Sequence, residues 1–410
     1  MSTVNKVGRL ITPGDTGDGS RLARLRISTT LFFAVHGFVF AGFEVRIPAI
    51  KQQTGSSARD LGLALLCMSI GAVATMVLTG SLCKRSGSRR VTVIACGLLS
   101  VTVLLPALTH SAVMLGLSLL VFGAAYGGLN VSMNSVAVDL VAVARRPIMS
   151  SFHAVWSLGA LAGAGVGALV ATHLTPLSEM LILAPTGLIV TLGAGWMLLR
   201  EPMPAAPVSA DAGADRRRPA GLALRQLGLA VGIFGLIALC DTYSEGALGD
   251  WGALHLKENL GTGQGLAAAG FATFAIAEAT GRIYGTRLLE RLGQTRVLIA
   301  GGLLACAGML AAALVPFVWV VFAGYALTGL GLANIFPTCL ARAGAIGGPV
   351  GVSVAVTLGY GGFLLGPPAI GFLAATFGLP VALTTLAFLS AVAAMIAYGT
   401  RNQDRLVRDS

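Results

Sequence analysis

The chain has 410 residues, 55% of them hydrophobic and 11% charged, against roughly 25% charged in soluble domains; with a mean hydropathy of +0.82, a water-soluble globule is excluded. Its four lysines, Lys6, Lys51, Lys84 and Lys257, stand in no Gly-x-x-x-x-Gly-Lys run, which excludes a phosphate-cradling ATPase loop here and leaves an ion gradient or another subunit as energy source. A net charge of +11 would suit nucleic acid, but the basic residues lie in short clusters between apolar blocks, so a lipid bilayer is the expected partner and nucleic acid is not.

Residues 1–26 form a polar tail, and no small-residue cleavage site follows the first apolar block, so that block reads as a retained span and not a signal peptide. Candidate spans are 27–48, 61–82, 91–109, 112–138, 149–172, 178–199, 226–251, 264–287, 297–315, 317–341, 351–376 and 379–399, each about the 20 residues that a helix needs to cross hydrocarbon. The segment 200–224 holds Pro202, Pro204, Pro207, Pro219 and the run Arg216-Arg217-Arg218, and reads as a flexible linker. The organisation is therefore a tail (1–26), a six-helix half (27–199), a linker (200–224), a second six-helix half (225–399) and a tail (400–410). Of the 28 Lys and Arg residues, 23 fall on the side of the two tails, which puts both termini in the cytoplasm.

The chain also repeats itself. Slid by 206 places, Leu82, Arg85, Gly87, Arg90 and Val91 superpose on Leu288, Arg291, Gly293, Arg296 and Val297; at 204, Gly127, Asn130 and Gly167 meet Gly331, Asn334 and Gly371. Duplicating an even number of spans preserves orientation, so parallel halves related by an axis along the membrane normal are expected.

Polar groups are spread unevenly over the spans. The apolar cores of spans 3, 6, 9 and 12 are read as holding no Asp, Glu, Lys, Arg, His, Asn or Gln. Span 1 carries His36 and Glu44, span 4 Asn130 and Asn134, span 5 His153, span 7 Asp241 and Glu245, span 8 Glu278 and Arg282, and span 10 Asn334. Such groups must face protein or water, so these spans are expected to surround a cavity, while spans 3, 6, 9 and 12 can face lipid. An acid in an intermittently hydrated, low-dielectric site can take a proton from one side and release it on the other; Glu44, Asp241, Glu245 and Glu278 are the candidates. Asp241 and Glu245 share a helix face at i, i+4 and can hold one proton between them. Glu278 and Arg282 have the same spacing, and there a self-neutralising ion pair is an equal reading. Candidates for substrate contact are His36, Asn130, Asn134, His153, Trp156, Tyr243, Asn334 and Tyr360. For the aromatic ones, stacking on a sugar or aromatic solute stands level with helix packing. The six cysteines form no C-x-x-C pair, so packing is expected, with no disulfide frame, metal or cofactor. Gly159, Gly163, Gly165 and Gly167 in span 5, and Gly362 and Gly366 in span 11, permit close helix approach.

The loop Gly80-Ser-Leu-Cys-Lys84-Arg85-Ser-Gly87-Ser-Arg89-Arg90, echoed at Leu288-Leu-Glu290-Arg291-Leu-Gly293, resembles the signature between spans 2 and 3 of the major facilitator superfamily of secondary transporters. Lys84 occupies an acidic position that Glu290 keeps in the second copy. Phe43-Glu44-Val-Arg46-Ile47-Pro48 is similar to the fucose-permease-like branch, whose carboxylate four residues before a proline is implicated in proton coupling. Asn130 stands where that branch's sugar symporters have an acid, which points away from fucose. The resemblance implies an all-α polytopic membrane protein of 12 transmembrane helices in two parallel six-helix halves, with no enzymatic activity. It implies alternating access around a midplane site, with a small solute and protons as partners, and a cytoplasmic gate at Gly80, Arg85, Gly87, Arg90, Glu290, Arg291 and Gly293. A monomer in a bacterial inner membrane is expected, with uptake and efflux both open. The alternatives are a multidrug-type efflux antiporter, which needs a greasier cavity, and a membrane sensor or scaffold, which needs a signalling domain or long loop.

Overall fold

In a computed structural model, the described residues (15–56, 58–170, 173–202 and 220–401) form thirteen helices and no strand. Most of the expected linker, the first part of the N-terminal tail and the end of the C-terminal tail lie outside the described residues. A chain of this composition has no water for its backbone in the bilayer, so its N–H and C=O groups are satisfied inside helices. The helices are α1 (Asp15–Gln53), α2 (Ala58–Ser86), α3 (Ser88–Thr102), α4 (Leu104–Ala107), α5 (Ala112–Ala144), α6 (Met149–Val170), α7 (Pro176–Arg200), α8 (Ala220–Asn259), α9 (Gln264–Leu292), α10 (Gln294–Leu314), α11 (Val318–Leu332), α12 (Ile335–Phe377) and α13 (Leu379–Gly399). They make twelve spans. Helices α3 and α4 together form span 3, while α11 and the start of α12 form span 10. Helix α12 breaks at Gly348 (φ 57°, ψ −146°), where span 11 begins; only glycine adopts that backbone readily. By length and composition, nine described stretches can cross a membrane, Val318–Phe377 counting as one. The break in that stretch, together with α6 and α9, completes the twelve. Several helices overrun the expected spans; in particular, α1 already begins within the expected tail, and α8 within the expected linker.

The duplication is visible in the turns and in the packing. Gly87 and Gly293, matched by the repeat, carry nearly the same backbone (φ 84°, ψ 130° and φ 81°, ψ 157°) between α2 and α3 and between α9 and α10. The motif glycines thus have a turn to make, whatever else they do. Helix α6 lies against α1 because a Cβ on Gly159 or Gly163 would strike the Ala34 or Phe38 carbonyl; α12 lies against α8 in the same way at Gly362 and Gly366. Gly165 meets nothing within 4 Å, so it takes no part in that contact. Bulky apolar side chains such as Leu192, Trp196, Phe372 and Phe388 are largely exposed on the outer faces, as lipid contact requires.

Candidate transport site

Seven helices converge on a cavity of about 350 Å³ at the seam between the halves, near the lower end of the roughly 300–1,000 Å³ of small-molecule sites. Its wall takes His36, Phe40 and Glu44 from α1, Ser69 from α2, Tyr126, Asn130 and Asn134 from α5, and His153 and Trp156 from α6. The second half supplies Thr242 and Glu245 from α8, Arg282 from α9, and Phe336 and Tyr360 from α12. Helices α3, α4, α7, α10 and α13 contribute none of the lining residues, as the polar pattern predicts. Of the expected contact residues, six line the cavity. The other two do not: Tyr243 turns to Thr385 of α13 (Oη to Oγ1, 3.3 Å), and Asn334 donates to the Gly281 carbonyl at 3.0 Å from the junction of α11 and α12.

The first half presents a connected polar wall. The Trp156 indole N–H donates to His36 Nδ1 at 2.8 Å, and His36 stacks on Tyr126 with ring centroids 4.4 Å apart. Because an indole only donates, His36 is the neutral tautomer with its proton on Nε2, and that buried nitrogen has no protein partner. Asn134 Nδ2 donates to the Asn130 carbonyl (2.8 Å) and side-chain oxygen (3.1 Å). Its own Oδ1 accepts from His153 Nε2 at 3.2 Å.

The second half presents charge. Arg282 Nη2 binds Glu278 Oε1 at 2.6 Å and Glu245 Oε1 at 3.4 Å, and Nη1 donates to Ser157 Oγ of the first half at 2.9 Å. So the i, i+4 pair of α9 is formed, but it is one edge of a larger cluster that also ties the halves together. Asp241 is 2% exposed, lies within electrostatic reach of Glu245, Glu278 and Arg282, and has an unpartnered Oδ1. Glu44 is exposed in the cavity mouth. Sequence reasoning missed Ser157 and Thr242, whose hydroxyls give no hydropathy signal, and it missed Glu179. That residue, at the start of span 6, is fully buried and ion-paired to the equally buried Arg46 of α1, so span 6 is not free of charge.

At the end that carries the chain termini, the halves touch. Arg146 Nε binds Glu290 Oε1 at 2.6 Å, Ser353 Oγ donates to the Met76 carbonyl at 2.6 Å, and Gly80 lies so close to Pro349 and Ser353 that a Cβ would clash. Arg85, Arg90 and Arg291 are exposed and form no ion pair among the described residues.

Two helical halves closing on a solute-sized cavity, lined by apolar and aromatic side chains with a few polar and charged groups among them, define a membrane carrier. The chain belongs to the Major Facilitator Superfamily, whose family model matches residues 29–249 and 234–409. An uncharacterized transporter of this type from Yersinia pestis is 33% identical over 368 residues, covering 89% of this chain and 92% of that protein. An uncharacterized transporter from Sinorhizobium fredii is 30% identical over 368 residues, covering 89% and 95%. The fold resembles the Escherichia coli fucose:proton symporter, with a TM-score of 0.76 and 17% identity over 92% of this chain and 98% of that one. The protein is thus a multi-pass secondary transporter and not an enzyme.

Proposed function

We propose that the protein carries a small organic solute through the central cavity in exchange or symport with protons, and that Glu245, Glu278 and Arg282, with Asp241 and Glu44 beside them, couple the two. The observation that carries this reading is the placement of Arg282, which holds two carboxylates of its own half and the Ser157 hydroxyl of the other. One guanidinium balances one carboxylate; of Asp241, Glu245 and Glu278, the other two need protons or a solute to balance them in a low-dielectric site. Taking up a proton on Glu245 or Glu278 loosens a bond to Arg282 and so alters its cross-half bond to Ser157, which links proton loading to the relative position of the halves. The basic side, where the termini lie, is assigned to the cytoplasm, so the contacts at Arg146–Glu290, Ser353 and Gly80 form the inner gate of an outward-facing state. The halves 27–199 and 225–399 act as the two rocking bodies of a monomer in a bacterial inner membrane.

The test uses proteoliposomes and the solute that most raises the thermal stability of the purified protein. Under an imposed pH gradient the wild type accumulates that solute. Glu245→Gln and Glu278→Gln lose accumulation but keep solute exchange across the membrane. Undiminished accumulation by both variants overturns the coupling assignment.

A further inference from the structure

Beside the central cavity lies a second space of about 280 Å³, between α8, α9 and α12. Glu245 and Phe363 belong to the walls of both, so the two adjoin. Helix α9 gives this side pocket one stripe, Phe271, Phe274, Ala275 and Glu278, spaced i, i+3, i+4 and i+7 on a single face. The same face continues to Arg282 on the wall of the central cavity. Phe271 and Phe274 stand with ring centroids 6.1 Å apart. Helix α8 leaves room opposite them because Gly246 and Gly249 carry no side chain. A Cβ on Gly246 would lie 2.8 Å from the Phe363 ring, and one on Gly249 would meet the Phe271 ring at 3.7 Å. Phe363 also continues a row of rings out of the central cavity: it lies 6.5 Å from Tyr360, which lies 6.3 Å from Tyr126 across the seam.

We infer that the solute carries an aromatic ring, seated in the side pocket, with its polar end in the central cavity. An apolar space of about 150 Å³ already takes a benzene molecule, so the side pocket has room for a ring. Phe271, Phe274 and Phe363 offer it stacked and edge-to-face partners. The carboxylates decide between an aromatic and a saturated arm. Glu245 and Glu278 also line this pocket, and a ring can turn its electropositive edge towards them, whereas a saturated arm only takes water from them. Both carboxylates are bonded to Arg282, so the ring needs no charge of its own. For the polar end, the central cavity sets Asn130, Thr242 and Arg282 among apolar and aromatic walls, the pattern by which a few polar groups orient a ligand. This inference rests on the reading of the central cavity as the transport site.

Three matched sets of probes, differing in their polar end, test it by direct binding to the purified full-length protein: phenethylamine, cyclohexylethylamine and ethylamine; phenylpropionate, cyclohexylpropionate and propionate; and the phenyl, cyclohexyl and methyl β-glucosides. Within at least one set, the phenyl member is expected to bind about tenfold or more tighter than the short member, and tighter than the cyclohexyl one. Gly249→Leu and Ala275→Leu each put an aliphatic side chain into the side pocket. Each is expected to weaken the phenyl member by about tenfold or more, while the short member binds as to the wild type and the melting temperature without a probe is kept. The inference is overturned if no set shows a gain from the phenyl group, or if the cyclohexyl member matches its phenyl partner in every set. It is equally overturned if, in the folded variants, phenyl binding stays unchanged, as for a side pocket filled by a lipid chain, or falls together with that of the short member. A protein with the expected binding pattern that moves no proton refutes the coupling alone, and proton-coupled transport without a phenyl preference refutes the ring alone.

Discussion

Arg46 and Glu179 illustrate how burial decides the worth of a charge. Their side chains are 3% and 1% exposed, and removing one partner leaves an uncompensated charge at a cost of about 3–5 kcal/mol. Thermal unfolding in detergent should therefore show Glu179→Gln strongly destabilised, and Arg46→Met with Glu179→Met together much closer to wild type. Trp156→Phe keeps a ring but strips His36 Nδ1 of its donor; a buried acceptor left unsatisfied costs about 1–3 kcal/mol, read in the same assay and as weaker solute binding. At this scale the sequence was partly legible. A histidine or carboxylate inside an apolar span announces itself by its expense, which is why His36, Glu44 and Glu245 stood out. The direction a side chain takes from its helix is not announced. Tyr243 and Asn334 sit on cavity-lining spans yet point to Thr385 and Gly281, while Ser157 meets Arg282 from a position with no polar signature.

At the scale of helices, glycine sets how near two axes come. Gly163→Ala forces a Cβ onto the Phe38 carbonyl, and overpacking of this kind costs about 1–3 kcal/mol, whereas Gly165→Ala, with open space around it, should unfold at the wild-type temperature. Gly348→Ala places a side chain on a backbone at φ 57° and ψ −146° and is expected to lose about 1–3 kcal/mol. The spans and their sorting into lining and outer helices could be read from the sequence, since hydropathy and the cost of buried polar groups act on composition alone. The break at Gly348 falls in the gap expected between spans 10 and 11, at the run Gly347-Gly348-Pro349, whereas the break at Asn334 inside span 10 was not expected, although Pro337 removes the donor that the Ala333 carbonyl would need.

For the whole molecule, the proposed mechanism has the contacts between halves at the terminal end set which side is open. Arg146 donates a hydrogen bond to Glu290 and holds its carboxyl below the ordinary 4.5. A lowered value in the closed state means that the contact favours closure above 4.5, and that this contribution is lost as pH falls through the lowered value. Labels on the loops at 145–148 and 290–293 should separate on acidification in the wild type, whereas Glu290→Gln should show a smaller change over that range. Gly80 and Glu290 of the duplicated loop motif do touch the other half, but the partner Arg146 and the Ser353–Met76 bond were not legible, because cross-half pairs depend on how two separate bundles dock.

The central claim is that protons move with the solute through the cluster on Arg282. Its most direct test records internal pH in proteoliposomes, using a trapped dye, while a gradient of the stabilising solute is applied. Wild-type protein should show solute-driven proton movement, and Glu278→Gln and Glu245→Gln should carry the solute with little or none. Proton movement of wild-type size in both variants would contradict the account.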